Sequence, residues 1–255
     1  MTDPWLAVRR FTRARIALGR AGHAVPTRDL LDFQLAHAEA RDAVHVPWDI
    51  HACAEQLREL GEAVLTLDTP VTGRAEYLRR PDLGRVITEE SRNRLRSAAT
   101  GKADVALIIS NGLSSMAVHR HGIPLLQAIL GRYRERHISI APISLVANGR
   151  VALLDDIGST LAARVAVIVV GERPGLSAAD SLGIYLTFAP HPGNSNAERN
   201  CISNIRPPEG VSYEAAAEKL LYLTGEALRR GISGVALKDE SEGVPGAALR
   251  RRMCQ

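Results

Sequence analysis

The chain has 255 residues, 45% of them hydrophobic, 24% charged and 4% aromatic, with a formal net charge of +4. This is the length and composition of a globular protein of one large domain or a domain with an appendage, and it excludes a disordered, collagenous or coiled-coil chain. No apolar run approaches the roughly 20 residues of a membrane-spanning helix, and Met1-Thr2-Asp3-Pro4-Trp5 lacks the layout of a secretory leader, so a cytoplasmic location is expected.

Residues 1–102 read as a helical region. A basic segment, 4–19, carries Leu6, Phe11 and Ile16 at helical spacing. Thr27 is placed to cap a helix over 28–45, with Asp29 favouring the positive end of its dipole. That helix has two apolar rows: Leu31, Leu35 and Ala38 on one, Phe33, Ala36, Ala40 and Val44 on the other. Together they are wider than one surface stripe, which predicts burial on two sides. Pro47 ends it, and a further helix is expected over 48–60, stopping at Gly61. Residues 66–85, punctuated by Pro70, Gly73, Pro81 and Gly84, read as irregular. Thr88 then opens a short charged helix.

From residue 103 the pattern changes. A wholly apolar run at 105–109, and similar runs at 138–146, 164–170, 184–188 and 233–237, read as strands buried on both faces. Helical patterns at 124–136, 151–162 and 212–230 lie between most of them. Ser212 is placed to cap the last, and Gly231 to end it. Strands alternating with helices predict an α/β fold: a doubly wound, mainly parallel, Rossmann-like sheet over 103–255, preceded by the helical region 1–102. Residues 105–114 and 166–177 both run strand, turn, Gly-Leu-Ser, and each serine is placed to cap a following helix.

In open parallel sheets ligands bind beyond the carboxyl ends of the strands. Those ends here carry Ser110-Asn111-Gly112 and Gly171-Glu172-Arg173-Pro174-Gly175, which suit a large polar ligand. Neither the G-x-G-x-x-G nor the G-x-x-x-x-G-K-[ST] pattern occurs, and there is no G-x-S-x-G or H-E-x-x-H. His119 and His121 fall in an expected loop without further ligands in sequence, so no metal site is assigned. Residues 191–205 form a long polar loop returning to an apolar stretch, with Cys201 at its inner end and no acid–base partner nearby. Cys53, Cys201 and Cys254 are too scattered for a disulfide frame. All but three (Lys102, Lys219, Lys238) of the 32 basic residues are arginine, which suits interface ion pairs. A stand-alone nucleotide or nucleic-acid binder is the alternative, with few aromatics to stack bases.

Four segments share one further property. Residues 15–22 (RIALGRAG), 30–45 (LLDFQLAHAEARDAVH), 171–177 (GERPGLS) and 199–205 (RNCISNI) together resemble the small (light) subunit of ethanolamine ammonia-lyase, over about residues 9–238. The resemblance implies a lyase that uses adenosylcobalamin to convert ethanolamine to acetaldehyde and ammonia. It implies a large subunit that holds substrate and catalytic residues, and a small subunit that is inactive alone and closes over the cobalamin. By the same resemblance the cobalamin contacts of this chain are Val151, Glu172 and Cys201. No histidine stands in an Asp-x-His-x-x-Gly context, so no cobalt ligand is assigned here. The expected location is the cytoplasm, with a bacterial microcompartment as the alternative, and no membrane or nucleic-acid partner is expected.

Overall fold

The computed structural model describes residues 4–99 and 101–241. A 3-10 helix, Pro4–Phe11, precedes α1 (Thr27–His45) and α2 (Ile50–Glu59). Then come β1 (Val64–Leu67), α3 (Arg74–Arg79) and α4 (Glu89–Ala98). They are followed by β2 (Val105–Ser110), α5 (Ser115–Glu135), β3 (Ile143–Val146), α6 (Leu153–Thr160) and β4 (Val165–Gly171). The chain continues with β5 (Leu182–Phe188), β6 (Asn200–Ile205) and α7 (Tyr213–Arg230). Helix starts follow the local chemistry. Asp49, Thr88, Ser114 and Ser212 each accept a hydrogen bond from a backbone N–H three residues on. Gly231, with φ 70°, ends α7 in the left-handed conformation that glycine adopts without strain.

The six strands form one sheet in the order β1-β3-β2-β4-β5-β6. β1, β3, β2 and β4 run parallel, while β5 and β6 are antiparallel to their neighbours. Helices lie on both faces. α2, α5 and α7 pack on one through Leu57, Leu126, Ile129 and Leu220, and α4 and α6 on the other through Leu95, Leu154 and Ile157.

The expected α/β class holds, with four parallel strands and helices on both faces, but the antiparallel β5 and β6 make the sheet mixed and correct the expectation of a Rossmann-like, doubly wound parallel sheet. The turn after β4 opens no helix, and Ser177 caps nothing. Residues 172–181 instead lead straight into β5, whose apolar run finds its partner directly against β4. The stretch 233–237 is not a strand. Gly234, at φ 68°, turns it into a 3-10 helix against β6, where Gly234 N donates to Asn200 Oδ1 at 2.7 Å. β1, whose Thr66 and Leu67 fall in the stretch expected to be irregular, and β6, at the end of the expected loop 191–205, are both strands. His119 and His121 lie within α5, which continues through Pro124. Burial of Leu125, Leu126, Ile129, Leu130 and Tyr133 along that helix outweighs the roughly 3 kcal/mol an interior proline costs. α1 begins at Thr27 rather than being capped by it. It buries only Ala36 and Ala43 and leaves Leu31, Phe33 and Leu35 exposed, against the expected two-sided burial. The last part of the expected second region, 242–255 with Cys254, lies outside the described residues.

One ion pair fixes the 191–200 segment to α6. Arg199 Nη2 donates to Asp155 Oδ2, and both side chains are only 4% exposed. Arg199 also donates to Asn196 Oδ1 at 2.9 Å and to the Asn194 carbonyl at 3.0 Å. Burial raises the Asp155 carboxyl pKa, and the guanidinium only partly opposes this. Removing one partner leaves the other charge buried and unpaired. Arg199→Ala is expected to lose about 3–5 kcal/mol of stability in urea denaturation. Replacing both residues together with apolar ones of similar size should cost much less.

Candidate functional site

The loops leaving β2 and β3 turn to opposite faces of the sheet, into α5 and α6, and a crevice opens at their carboxyl ends. The antiparallel strands extend it. Leu182, Ile184, Leu186, Ile202 and Ile205 pack toward α7. The alternating residues Tyr185, Cys201 and Ser203 take the opposite face, where Tyr185 meets the α6 cluster. A two-stranded antiparallel edge can leave one face open, whereas a parallel strand between crossover helices cannot. The result is an open cleft of about 410 Å³ bordered by Tyr77, Arg150, Val151, Glu172, Arg173 and Tyr185.

The wall from β3 is held tightly. Ser110 Oγ accepts from Gly149 N at 2.9 Å, and Asn111 Oδ1 from Asn148 N at 2.7 Å. The Tyr77 hydroxyl donates to the Gly149 carbonyl at 3.0 Å. A side chain at position 149 would put its Cβ 2.7 Å from Leu153 Cδ2, so only glycine fits. The Tyr77 ring lies between two guanidiniums, with the Arg74 and Arg150 carbons 4.9 and 4.1 Å from its centre. Arg74 donates to the Gly112 carbonyl at 2.7 Å and to Asn148 Oδ1 at 3.1 Å, joining the two loops. Burial lowers its pKa. Arg150 Nε is buried without a protein partner. Sequence reasoning missed Tyr77 and Arg74, which fall in the stretch read as irregular. The only local signal was an aromatic among arginines.

On the opposite wall Glu172 is a hub. Its carboxylate accepts from Ser203 Oγ at 2.5 Å, Ser181 Oγ at 2.7 Å and Asn204 N at 3.2 Å. The three donors tie the end of β4 to β5 and β6. The carboxylate lies across Gly183, where a Cβ would approach Glu172 Oε1 to 2.9 Å. Cys201 does not border the cleft. It pairs across the strands with Tyr185, which does, and the Tyr185 hydroxyl hydrogen-bonds its sulfur. Loss of solvent around that sulfur raises the thiol pKa, against the opposing effect of Tyr185, so the group is a neutral thiol at pH 7. The structure thus brings Val151 and Glu172 to one cleft and leaves Cys201 beside it, exposed on β6 next to Tyr185. Among the described residues no group of three or more His, Cys, Asp or Glu is arranged to hold a metal ion. His119 Nε2 instead lies 2.8 Å from the Pro47 carbonyl oxygen.

The segment 172–181 is pinned at its far end by Asp180. Arg120 Nη1 and Arg206 Nε donate to its carboxylate at 2.7 and 2.9 Å. His121 Nε2 lies 3.4 Å away, and its Nδ1 is 2.7 Å from the Tyr213 hydroxyl. Burial by itself would raise the Asp180 carboxyl; the two guanidiniums and His121 overcome it and bring its pKa down to about 2.

Comparison with known proteins identifies the family. A family model described as ethanolamine ammonia-lyase light chain matches residues 2–238. A protein of Ralstonia nicotianae named ethanolamine ammonia-lyase small subunit is 53% identical over 253 residues, covering 98% of this chain and 93% of its own length. A protein of the same name from Azotobacter vinelandii is 54% identical over 243 residues, covering 94% of this chain and 90% of its own length. One from Pseudomonas fluorescens is 51% identical over 243 residues, covering 94% of this chain and 87% of its own length.

The Asp180 cluster makes stability depend on acid. Its pKa is lower in the folded chain than in the unfolded one, so the unfolded chain takes up the proton first. The stabilisation is full above the ordinary carboxylate range of about 3.9 and is lost as the pH falls through that range toward 2. The stability gap between wild type and Asp180→Asn, measured by urea denaturation, is expected to narrow from about pH 5 to about pH 3. A gap that does not change with pH would show that the carboxylate is not held by these cations.

Proposed function

The chain belongs to the ethanolamine ammonia-lyase light-chain family, and from that premise we propose that it is the small subunit of an adenosylcobalamin-dependent ethanolamine ammonia-lyase. In this reading a large subunit holds ethanolamine and the reacting atoms. The small subunit, through residues from 103 onward, covers one flank of the cofactor at the interface. One observation supports it above the rest: Val151 and Glu172 border a single open cleft, and Cys201 adjoins it through Tyr185.

The residues present fit such a group. The cleft offers neutral and charged hydrogen-bonding groups at its rim: Arg150, Arg173, Glu172 and the Tyr185 hydroxyl. The Arg150 guanidinium carries a buried N–H with no protein partner. These suit the amide-fringed edge of a corrinoid. The volume, about 410 Å³, is near the low end of the roughly 300–1,000 Å³ that holds a drug-sized molecule. A corrinoid is far larger, so this chain would seat only part of it and leave the rest to a partner. When bound, adenosylcobalamin supplies radical chemistry through homolysis of its cobalt–carbon bond. Val151 gives an apolar contact at the start of α6. Glu172 keeps the β4–β6 wall in place and presents acceptor capacity. Neutral Cys201 stands beside Tyr185 on the neighbouring strand. No residue of this chain is given a catalytic role. Among the described residues, no helix is long and apolar enough to cross a membrane.

The chain by itself is expected to show no deamination of ethanolamine, and activity is expected on adding the large subunit and adenosylcobalamin; turnover by the chain alone would overturn the division of labour. Glu172→Ala should weaken cobalamin affinity of the assembled enzyme by about 1–3 kcal/mol in a spectral titration. Glu172→Gln, whose amide oxygen can still accept from Ser181 Oγ and Asn204 N while its NH2 donates to the Ser203 hydroxyl, should lose less. Unchanged affinity in both would confine Glu172 to holding the strands together.

A further inference from the structure

The cleft is not the only unfilled surface. Leu31 and Leu35 of α1 are 57% and 61% exposed, and Phe11 of the preceding 3-10 helix is 75% exposed. A helix that is apolar on two sides holds its place by being covered on both, and α1 is covered on one. Between α1 and the segment before it runs a groove of about 710 Å³, lined by Arg13, Arg15, Val25, Leu30, Phe33 and, from the 172–181 segment, Leu176. Exposed apolar surface on this scale marks a contact site. Its rim is predominantly basic, with Asp29, 4.0 Å from Arg9, as the one acidic residue among the lining. Residues 4–28 contain six arginines (Arg9, Arg10, Arg13, Arg15, Arg20 and Arg28) and no acidic residue, and all six are exposed.

We infer that this groove is the seat of the large subunit, and that its occupant is an apolar ridge of that subunit flanked by acidic residues. The inference rests on the proposed function and deepens it. Two features on this chain select that occupant. A second copy in a two-fold arrangement would bring the same arginine-rich rim against itself, and like charges at such short range oppose association. The groove also neighbours the cleft along the chain: Glu172 and Arg173 border the cleft, and Leu176, three residues after Arg173, lines the groove. A partner seated on α1 therefore reaches the mouth of the cleft, the side from which a cofactor too large for it must be covered. A flat anionic membrane would meet the arginines and leave the concave groove empty.

Binding of the purified large subunit to the full chain, followed by sedimentation or calorimetry at low and high salt, tests this. Leu30→Ser with Phe33→Ser, both lining the groove and exposed, is expected to weaken binding about tenfold or more. Arg13→Glu with Arg15→Glu is expected to weaken it at low salt and to flatten its salt dependence. The altered residues are exposed, so the thermal midpoint of the free chain should hold, and exposed Val235→Ser, on the far 3-10 helix, should bind as wild type does. Wild-type affinity in both groove variants would overturn the inference and leave the proposed function intact. Failure of the wild-type chain to bind the large subunit at all would overturn both. Groove-dependent self-association of the chain, or groove-dependent capture by phosphatidylglycerol vesicles with unaltered large-subunit binding, would assign the groove to another occupant and refute it.

Discussion

The reversal of direction between β4 and β5 is the constraint from which the cleft follows. Parallel neighbours require a crossover, and the crossover helix covers a face of the sheet. β5 returns beside β4 after residues 172–181 alone, so no helix is laid over that part of the α6 side. Tyr185, Cys201 and Ser203 stand on that open face. Had the chain continued as strand, helix, strand, the same positions would lie under a helix, and Glu172 would close a turn rather than border a cleft.

A surface without helical cover must be held by polar contacts, and the structure supplies them at both ends of the 172–181 segment. Glu172 gathers donors from β5 and β6 at one end, and Asp180 collects Arg120, Arg206 and His121 at the other. Buried or half-buried carboxylates are costly unless several donors meet them, and both are met. On the facing wall Tyr77 and the two guanidiniums beside it play the corresponding part, linking α3 to the loops after β2 and β3. Each wall is held by its own hydrogen bonds, yet the space between them stays open to solvent. That is the character of half a container rather than of a finished active site.

The amino-terminal region repeats the theme at larger scale. α1 rests on the body of the protein through small alanines and turns its leucines and Phe33 outward. Small residues allow a close approach but bury little apolar area, so little of the helix's hydrophobic surface is used within this chain. The cleft and the groove beside α1 both draw on residues 172–177, through Glu172 and Arg173 on one and Leu176 and Ser177 on the other.

Much of the sheet was legible in the sequence. β2 and β4 are buried on both faces, and such strands write themselves as unbroken apolar runs. Ser114, Ser212 and Gly231 marked helix ends because capping depends on residues only a few positions apart. The likeness of residues 30–45, 171–177 and 199–205 to a known family, rather than any periodicity, singled out Val151, Glu172 and Cys201. What the sequence left undetermined depends on partners distant along the chain. β1 is four residues long, and β6 alternates polar and apolar residues, so neither carries a run strong enough to read. Glycine, leucine and serine follow both β2 and β4, yet only Ser114 begins a helix, because the run at 182–188 is captured by β4 before a helix can form. The same holds for Tyr77 against Arg150, Arg74 against Gly112, and His121 against Asp180 and Tyr213. Local chemistry determined where segments begin and end; which wall of the cleft each side chain serves was decided by long-range packing, because the burial that selects those contacts exists only once the whole sheet has assembled.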